Sequence, residues 1–127
     1  MANQQKKQSA LELVTELDEN REIKDTEVYV TPMFIPFDVT YEAIDLMEEI
    51  QNAESDFDKK IIDKMMNFIV HRLYEDRFTI QDFKKGVHGP DFFQILQEQI
   101  RFVAEGYQSD ATKKLIAKHS KASAAKN

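Results

Sequence analysis

The chain has 127 residues, with 23 acidic and 17 basic side chains and a formal net charge of −6; this length predicts one domain with its own hydrophobic core. It has no cysteine, which excludes disulfides, thiolate metal sites and thiol nucleophiles. No apolar run approaches the roughly 20 residues of a membrane helix, and the first residues lack the apolar core of a signal peptide. A soluble, intracellular protein is expected.

The charge is distributed unevenly along the chain. All 23 acids lie within residues 9–112, together with ten bases, which gives this part a net charge of −13. An acidic body argues against nucleic acid as a ligand, because phosphate binding requires clustered lysine and arginine. We predict a flexible arm over residues 1–8, a single mainly helical domain over 9–112 and a basic, mobile tail over 113–127. The lysines of the tail are Lys113, Lys114, Lys118, Lys121 and Lys126.

The first predicted element is a short helix over residues 10–18, because Ser9 and Glu12 have the spacing of a capping box. The stretch that follows, ENREIKDTEVYV, changes to the alternation typical of a strand. We predict a small β element over about residues 21–37, with a first strand at 21–24 and a turn at Asp25–Thr26.

The next stretch, TPMFIPF (residues 31–37), is unusually apolar for a surface loop. Pro32 and Pro36 exclude a helix interior and favour extended backbone. We interpret it as the connection between the β element and the first main helix, with Phe34 and Phe37 anchored on the helical layer. The alternative is a partner-binding surface, with Met33 and Ile35 exposed on the other side. The candidate partner-binding residues are Met33, Ile35, Phe37, Lys113 and Lys114.

Helical periodicity dominates the rest of the chain. The expected apolar stripe of the first main helix contains Ile44, Met47 and Ile50, or Leu46. Apolar spacing, caps and the stop at Gly106 predict helices over about residues 40–53, 57–76, 79–86, 92–104 and 109–118. Asp38 or Thr40, Asp56, Thr79 and Asp91 are the predicted caps, and Phe57, Ile61, Met65, Phe68, Ile69 and Leu73 are the inner face of the longest helix. The predicted fold is mainly α, a compact domain of about four to five helices with a short β-hairpin or strand near the N-terminus.

No catalytic, cofactor-binding or metal-binding site is expected. His71 and Glu75 have the spacing of two ligands on one helix face, but nothing supplies a third ligand. Adjacent acids such as Glu48 and Glu49 are typical of a solvated helix face rather than of a catalytic pair. No serine lies in a G-x-S-x-G elbow, and three scattered glycines cannot form a phosphate-binding loop. An enzyme is therefore not expected.

Four stretches occur in a characteristic order: VTPMFIPF, VTYEAIDLMEEI, IIDKMMNFIVHRLYEDRFTIQDFKKGV and FFQILQEQIRFVAEG. Over about residues 23–118 the chain resembles the tail assembly chaperones of long-tailed, siphovirus-type phages. The residues that carry the resemblance are Thr31, Pro32, Phe34 and Ile35, then Glu42, Ala43 and Leu46, then Phe78, Thr79, Asp82 and Phe83, and finally Gly106. The chain departs from that pattern at Asp25–Thr26, where the family often has a glycine turn, and at Pro36–Phe37, where it often has Lys-Gly.

The resemblance implies a protein of the bacterial host's cytoplasm that binds the tape measure protein and keeps it soluble until tail tube subunits assemble around it. It also implies a longer form, made by a programmed frameshift, that recruits the tail tube protein, and self-association is a further expectation. An adenine-rich slippery run at the codons of Lys113 and Lys114 would allow the frameshift, and the absence of such a run from the gene would refute it. Two alternatives are an acidic, phage-encoded inhibitor of a host nucleic-acid-binding protein and a non-enzymatic oligomerisation module.

Overall fold

A β-hairpin and five α-helices make up the part of the chain that the computed structural model describes, residues 7–53 and 58–125, with side chains as far as residue 120. The hairpin is the only sheet in that part, and its two antiparallel strands form a small layer on the helices. The mainly α fold with a short β-hairpin is therefore confirmed. The elements are β1 (Ala10–Leu17), β2 (Ile23–Val30), α1 (Phe37–Asn52), α2 (Lys59–Asn67) continued by a π-helical turn (Phe68–Leu73), α3 (Ile80–Gly86), α4 (Phe92–Glu105) after a 3-10 turn (Gly89–Asp91), and α5 (Asp110–Ala125).

The predicted helix over residues 10–18 is wrong, because this segment is strand β1. Ser9 does not cap a helix; its backbone N–H donates to Thr31 Oγ1 at 3.0 Å, and Thr31 N–H donates to Ser9 O at 3.0 Å. A helix this short is marginal in isolation, whereas pairing with β2 satisfies the same backbone groups and buries Leu11 and Leu13. Long-range pairing therefore overrides the local helix signal.

The predicted turn at Asp25–Thr26 is also wrong, since both residues lie inside β2. The chain reverses earlier, at residues 18–22 between the two strands. There the Asp18 carboxylate accepts from Asn20 N–H at 2.8 Å and from Glu22 N–H at 3.0 Å. Asp at the first position of a turn binds the backbone two residues on in this way. The β element therefore covers residues 10–30 rather than 21–37.

The hydrophobic core lies between the hairpin and the helices, and α1, α4 and the long helix supply most of it. The long helix, which is α2 with its π-helical continuation, begins at Lys59; its N-cap is Asp58, whose carboxylate accepts from Lys60 N–H at 2.9 Å. The predicted cap Asp56 and the predicted core residue Phe57 lie outside the described residues. The rest of its predicted inner face is confirmed, with Met65, Phe68, Ile69 and Leu73 buried and Ile61 partly buried against the core.

The predicted helix ends are confirmed at two places. Thr79 and Asp82 form a complete capping box at the start of α3, each accepting from the other's backbone N–H at 3.0 Å. Gly106 ends α4 in the left-handed conformation, with φ 74°, which glycine adopts without steric cost. Asp91, in contrast, makes no side-chain cap bond to α4.

Helix α5 runs across the boundary predicted between residues 112 and 113. Ser109 Oγ caps it by accepting from Thr112 N–H at 3.0 Å, and Thr112 is buried. Lys118 Nζ lies 3.8 Å from Glu12 Oε2 on β1. The helix therefore packs on the hairpin.

A buried polar cluster ties the start of the hairpin to the helices. Tyr74 O–H donates to Gln99 Oε1 at 2.6 Å, and Ser9 Oγ donates to the same oxygen at 3.4 Å. Gln99 Nε2 in turn donates to Ala10 O at 3.0 Å. Among the described residues, no buried side-chain polar atom lacks a partner. Because an unpaired buried polar group is costly, this cluster favours one position of the hairpin on the helices.

Alkaline pH is expected to destabilise the fold through Tyr74. Burial raises the pKa of its phenol well above the ordinary value of 10.0, so above pH ~10 the unfolded chain loses a proton that the folded chain keeps. The free energy of unfolding should therefore fall as pH rises above ~10, by up to about 1.4 kcal/mol per pH unit from this group. Urea titrations at several alkaline pH values measure the slope.

The variant Tyr74→Phe should show a smaller slope above pH ~10, although its stability at neutral pH is lower by about 1 kcal/mol for the lost hydrogen bond. Tyr41→Phe is the matched control, because this tyrosine is exposed. An unchanged slope in Tyr74→Phe would contradict the assignment to Tyr74. Some slope should remain, because burial also raises the pKa of Tyr29.

Candidate protein-binding surface

Large exposed apolar side chains concentrate on one part of the described chain, the loop before α1 and the outer face of α1. We call this set the α1 apolar surface. Its members and their exposed fractions are Met33 53%, Phe34 70%, Phe37 71%, Tyr41 60% and Ile44 40%. The other large exposed apolar residues of the described chain, Leu17 and Ile23, face each other near the tip of the hairpin.

The outer face of α1 is apolar because of where the helix begins. Pro36 adopts an extended conformation and is the N-cap, and Val39 N–H donates to Pro36 O at 3.1 Å. The core then takes Val39, Ala43 and Leu46. Positions 37, 41 and 44 follow the same 3–4 spacing on the opposite side, where they form an exposed stripe. The Phe37 and Tyr41 rings contact each other, with centroids 6.2 Å apart.

The prediction that Phe34 and Phe37 anchor the loop on the helical layer is wrong, since both are more than two-thirds exposed. Ile35, which the alternative interpretation placed on the exposed side, is instead partly buried against the core. Met33 is exposed, as its candidate role requires. The error has a local cause, because α1 starts at Phe37 rather than at residue 40. In the first turn of the helix Val39 faces the core, so Phe37 faces outwards.

Sequence reasoning missed two residues of the surface. Tyr41 was not a candidate, and Ile44 was assigned to the inner stripe of α1, which is wrong because it is 40% exposed. The predicted N-caps of α1 are also wrong. Thr40 Oγ1 donates to Val103 O at 3.2 Å instead of capping the helix, and Asp38 lies in the first turn without a cap bond. The spacing of Phe37, Tyr41 and Ile44 was the signal available in the sequence.

Lys113 and Lys114, the other two candidates, are exposed on α5. That helix packs on the hairpin, whereas α1 packs on α4 and α2. The two groups of candidate residues therefore lie on different elements, and the surface is built from the loop and α1.

Helix α1 is strongly acidic, because it contains five carboxylates and no lysine or arginine. Arg72 Nη2 lies 2.6 Å from Glu42 Oε2 and 3.8 Å from Asp38 Oδ2, and the hydrogen bond to Glu42 raises the pKa of Arg72. Lys64 Nζ lies 2.7 Å from Glu49 Oε1. The remaining two acids, Asp45 and Glu48, are exposed and have no ion-pair partner within the described ranges.

The described residues offer no metal centre. The long helix ends at Leu73, and Glu75 and Asp76 follow with positive φ of 52° and 62°, so His71 and Glu75 do not share a helix face. His71 contacts Asp76 instead. No group of three or more histidine, aspartate or glutamate side chains in the described chain is arranged to hold a metal ion.

Within residues 7–53 and 58–125, no helix is both long and apolar enough to cross a bilayer.

A family model described as phage tail chaperone protein matches residues 6–120 of the chain. The matched range contains every element from β1 to α4 and most of α5, and with them the whole α1 apolar surface. Neither the curated proteins nor the solved structures contain a match to the chain.

Proposed function

The chain belongs to the phage tail chaperone family, and from that premise we propose that it binds the tape measure protein through the α1 apolar surface and keeps it soluble until tail tube subunits assemble around it. This would take place in the cytoplasm of the bacterial host. The observation that supports this choice of binding surface is the concentration of large exposed apolar side chains there, those of Met33, Phe34, Phe37, Tyr41 and Ile44. Exposed apolar patches on a soluble chain mark interaction sites.

The geometry of the surface suits a helical client. A stripe at 3–4 spacing on α1 can pack against the apolar stripe of a second helix, as in other helix-in-groove and helix-on-helix complexes. Tape measure proteins are long and helical, and their exposed apolar faces would otherwise associate with each other. Covering these faces shifts the equilibrium from aggregate to soluble complex by mass action.

The composition of the surface suits a reversible complex. The stripe is one helix wide, and the carboxylates of α1 lie along one flank and at its C-terminal end, where they keep the unoccupied chaperone soluble. A few aromatic side chains carry most of the affinity of such a contact. Reversibility matters because tail tube subunits must displace the chaperone.

Co-expression with the protein encoded immediately downstream in its genome tests the proposal. We expect this chain to keep a long, otherwise insoluble helical protein in solution and to elute with it in many copies, as measured by size-exclusion chromatography with light scattering. The downstream protein expressed alone is the control. If that protein stays insoluble and this chain elutes alone, the proposed function is wrong, and a pull-down from host lysate at two salt concentrations would then test the inhibitor alternative.

A further inference from the structure

The stripe on α1 changes from apolar to acidic along its length. Phe37, Tyr41 and Ile44 form its first two turns, while Asp45 follows Tyr41 by four residues and Glu48 follows Ile44 by four. Residues four apart lie one above the other on a helix, so Glu48 continues the outer face, and Asp45 lies at its edge on the side that faces the long helix. From Phe37 to Glu48 the face extends about 17 Å, the length of three helical turns.

These two acids differ from the other carboxylates of α1. Asp38, Glu42 and Glu49 lie towards the long helix, within 4 Å of Arg72 or Lys64. Asp45 and Glu48 form no ion pair within 4 Å in the described chain, although Asp45 lines the same groove as Lys64 and Arg72. The uncompensated negative charge of α1 is therefore concentrated beside the exposed apolar stripe.

A partner that covers the stripe must also meet these charges. A carboxylate that loses water without gaining a cation is destabilising, and a second acid opposite it is worse. We infer that the α1 apolar surface selects an amphipathic helix that carries lysine or arginine next to its apolar stripe, with Asp45 and Glu48 as the residues that pair with those cations. The inference rests on the proposed function and names the kind of tape measure segment that binds.

A second copy of this chain is a poor occupant for the same face. A symmetric dimer places the same patch of both subunits in contact, so Asp45 and Glu48 of one copy would meet acids of the other. The resulting repulsion disfavours pairing of two α1 stripes. A basic helical partner removes the repulsion and gains two ion pairs at the edge of the contact.

Two designed peptides of about 18 residues, long enough to span the stripe, are the probes. Both carry the same leucine stripe, and one has lysines and the other glutamates along its edge. Fluorescence anisotropy with the full chain should show that the lysine peptide binds about tenfold more tightly at ~0.05 M salt. The preference should shrink at ~0.5 M salt, because the paired charges are exposed.

The double variant Asp45→Lys/Glu48→Lys should reverse the preference. The matched control is Glu19→Lys/Glu22→Lys, which changes the net charge equally, with the same three-residue spacing, in the exposed turn of the hairpin. The control should keep the preference for the lysine peptide. Urea unfolding of both variants checks that each is folded.

Three outcomes would overturn the inference. Equal binding of both peptides by the natural chain would show that charge plays no part. An equal loss of preference in both double variants would show attraction by net charge rather than by Asp45 and Glu48. A fall in the molar mass of the chain alone in Asp45→Lys/Glu48→Lys would show that a second copy occupies the face. In each case co-expression with the downstream protein reports separately on the proposed function, which stands if that protein remains soluble.

Discussion

Replacing Gly86 by alanine is expected to lower the free energy of unfolding by about 2–3 kcal/mol, although alanine is the better helix former by about 1 kcal/mol. Gly86 is the last residue of α3 and is buried against β1. A Cβ there would lie 2.8 Å from Leu13 Cβ, 3.0 Å from Val14 O and 3.2 Å from Val14 N. None of these atoms is the end of a flexible side chain, so relief requires α3 and β1 to move apart.

Urea unfolding of Gly86→Ala measures the loss. Gly89→Ala is the control, because a Cβ at Gly89 meets no atom within 4 Å, and its stability should change by less than about 0.5 kcal/mol. Stability equal to that of the natural chain in Gly86→Ala would mean that α3 and β1 are not in close contact. The hairpin's position on the helices would then need another explanation.

If the proposed function holds, the double variant Phe37→Ser/Tyr41→Ser should abolish retention of the tape measure protein in solution while leaving the fold intact. Both side chains are mostly exposed, so the free energy of unfolding should change by less than about 0.5 kcal/mol per site. Aromatic residues at the centre of an interface each contribute about 2 kcal/mol to the free energy of binding. Removing both should therefore weaken binding by at least about a hundredfold. Co-elution after co-expression and urea unfolding are the two measurements.

The matched control for this variant is Leu17→Ser/Ile23→Ser, which removes the other pair of large exposed apolar residues from the described chain. It should leave the tape measure protein soluble. If both double variants lose the tape measure protein equally, it binds through non-specific hydrophobic contacts rather than through the α1 apolar surface. If neither does, the binding site lies elsewhere on the chain.

Local sequence signals were sufficient wherever an element is stabilised by its own residues. The inner face of the long helix, the start of α3 at Thr79 and the stop at Gly106 were all predicted, because helical spacing, caps and a left-handed glycine act within a few residues. The mainly α character follows from the same signals.

The hairpin and the candidate site show where local signals fail. Ser9 and Glu12 have the spacing of a helix cap, yet Ser9 pairs with Thr31 on the far side of the hairpin. Of the five members of the α1 apolar surface, Met33 and Phe37 were candidates for partner binding. Phe34 and Phe37 were both predicted to anchor the loop on the helical layer, and Tyr41 and Ile44 were missed. Their exposure depends on which other residues of α1 are buried in the core.

Sequence patterns alone therefore predicted the class of the fold, the start of α3, the end of α4, the acidic body and the likeness to a family of assembly proteins. Each depends on composition, or on contacts between residues close along the chain. The tertiary structure decided which segments pair as strands and which apolar side chains remain outside. The physical reason is that the space in the core is limited: Val39, Ala43 and Leu46 fill the inner side of α1, so the aromatic residues on the opposite side remain exposed.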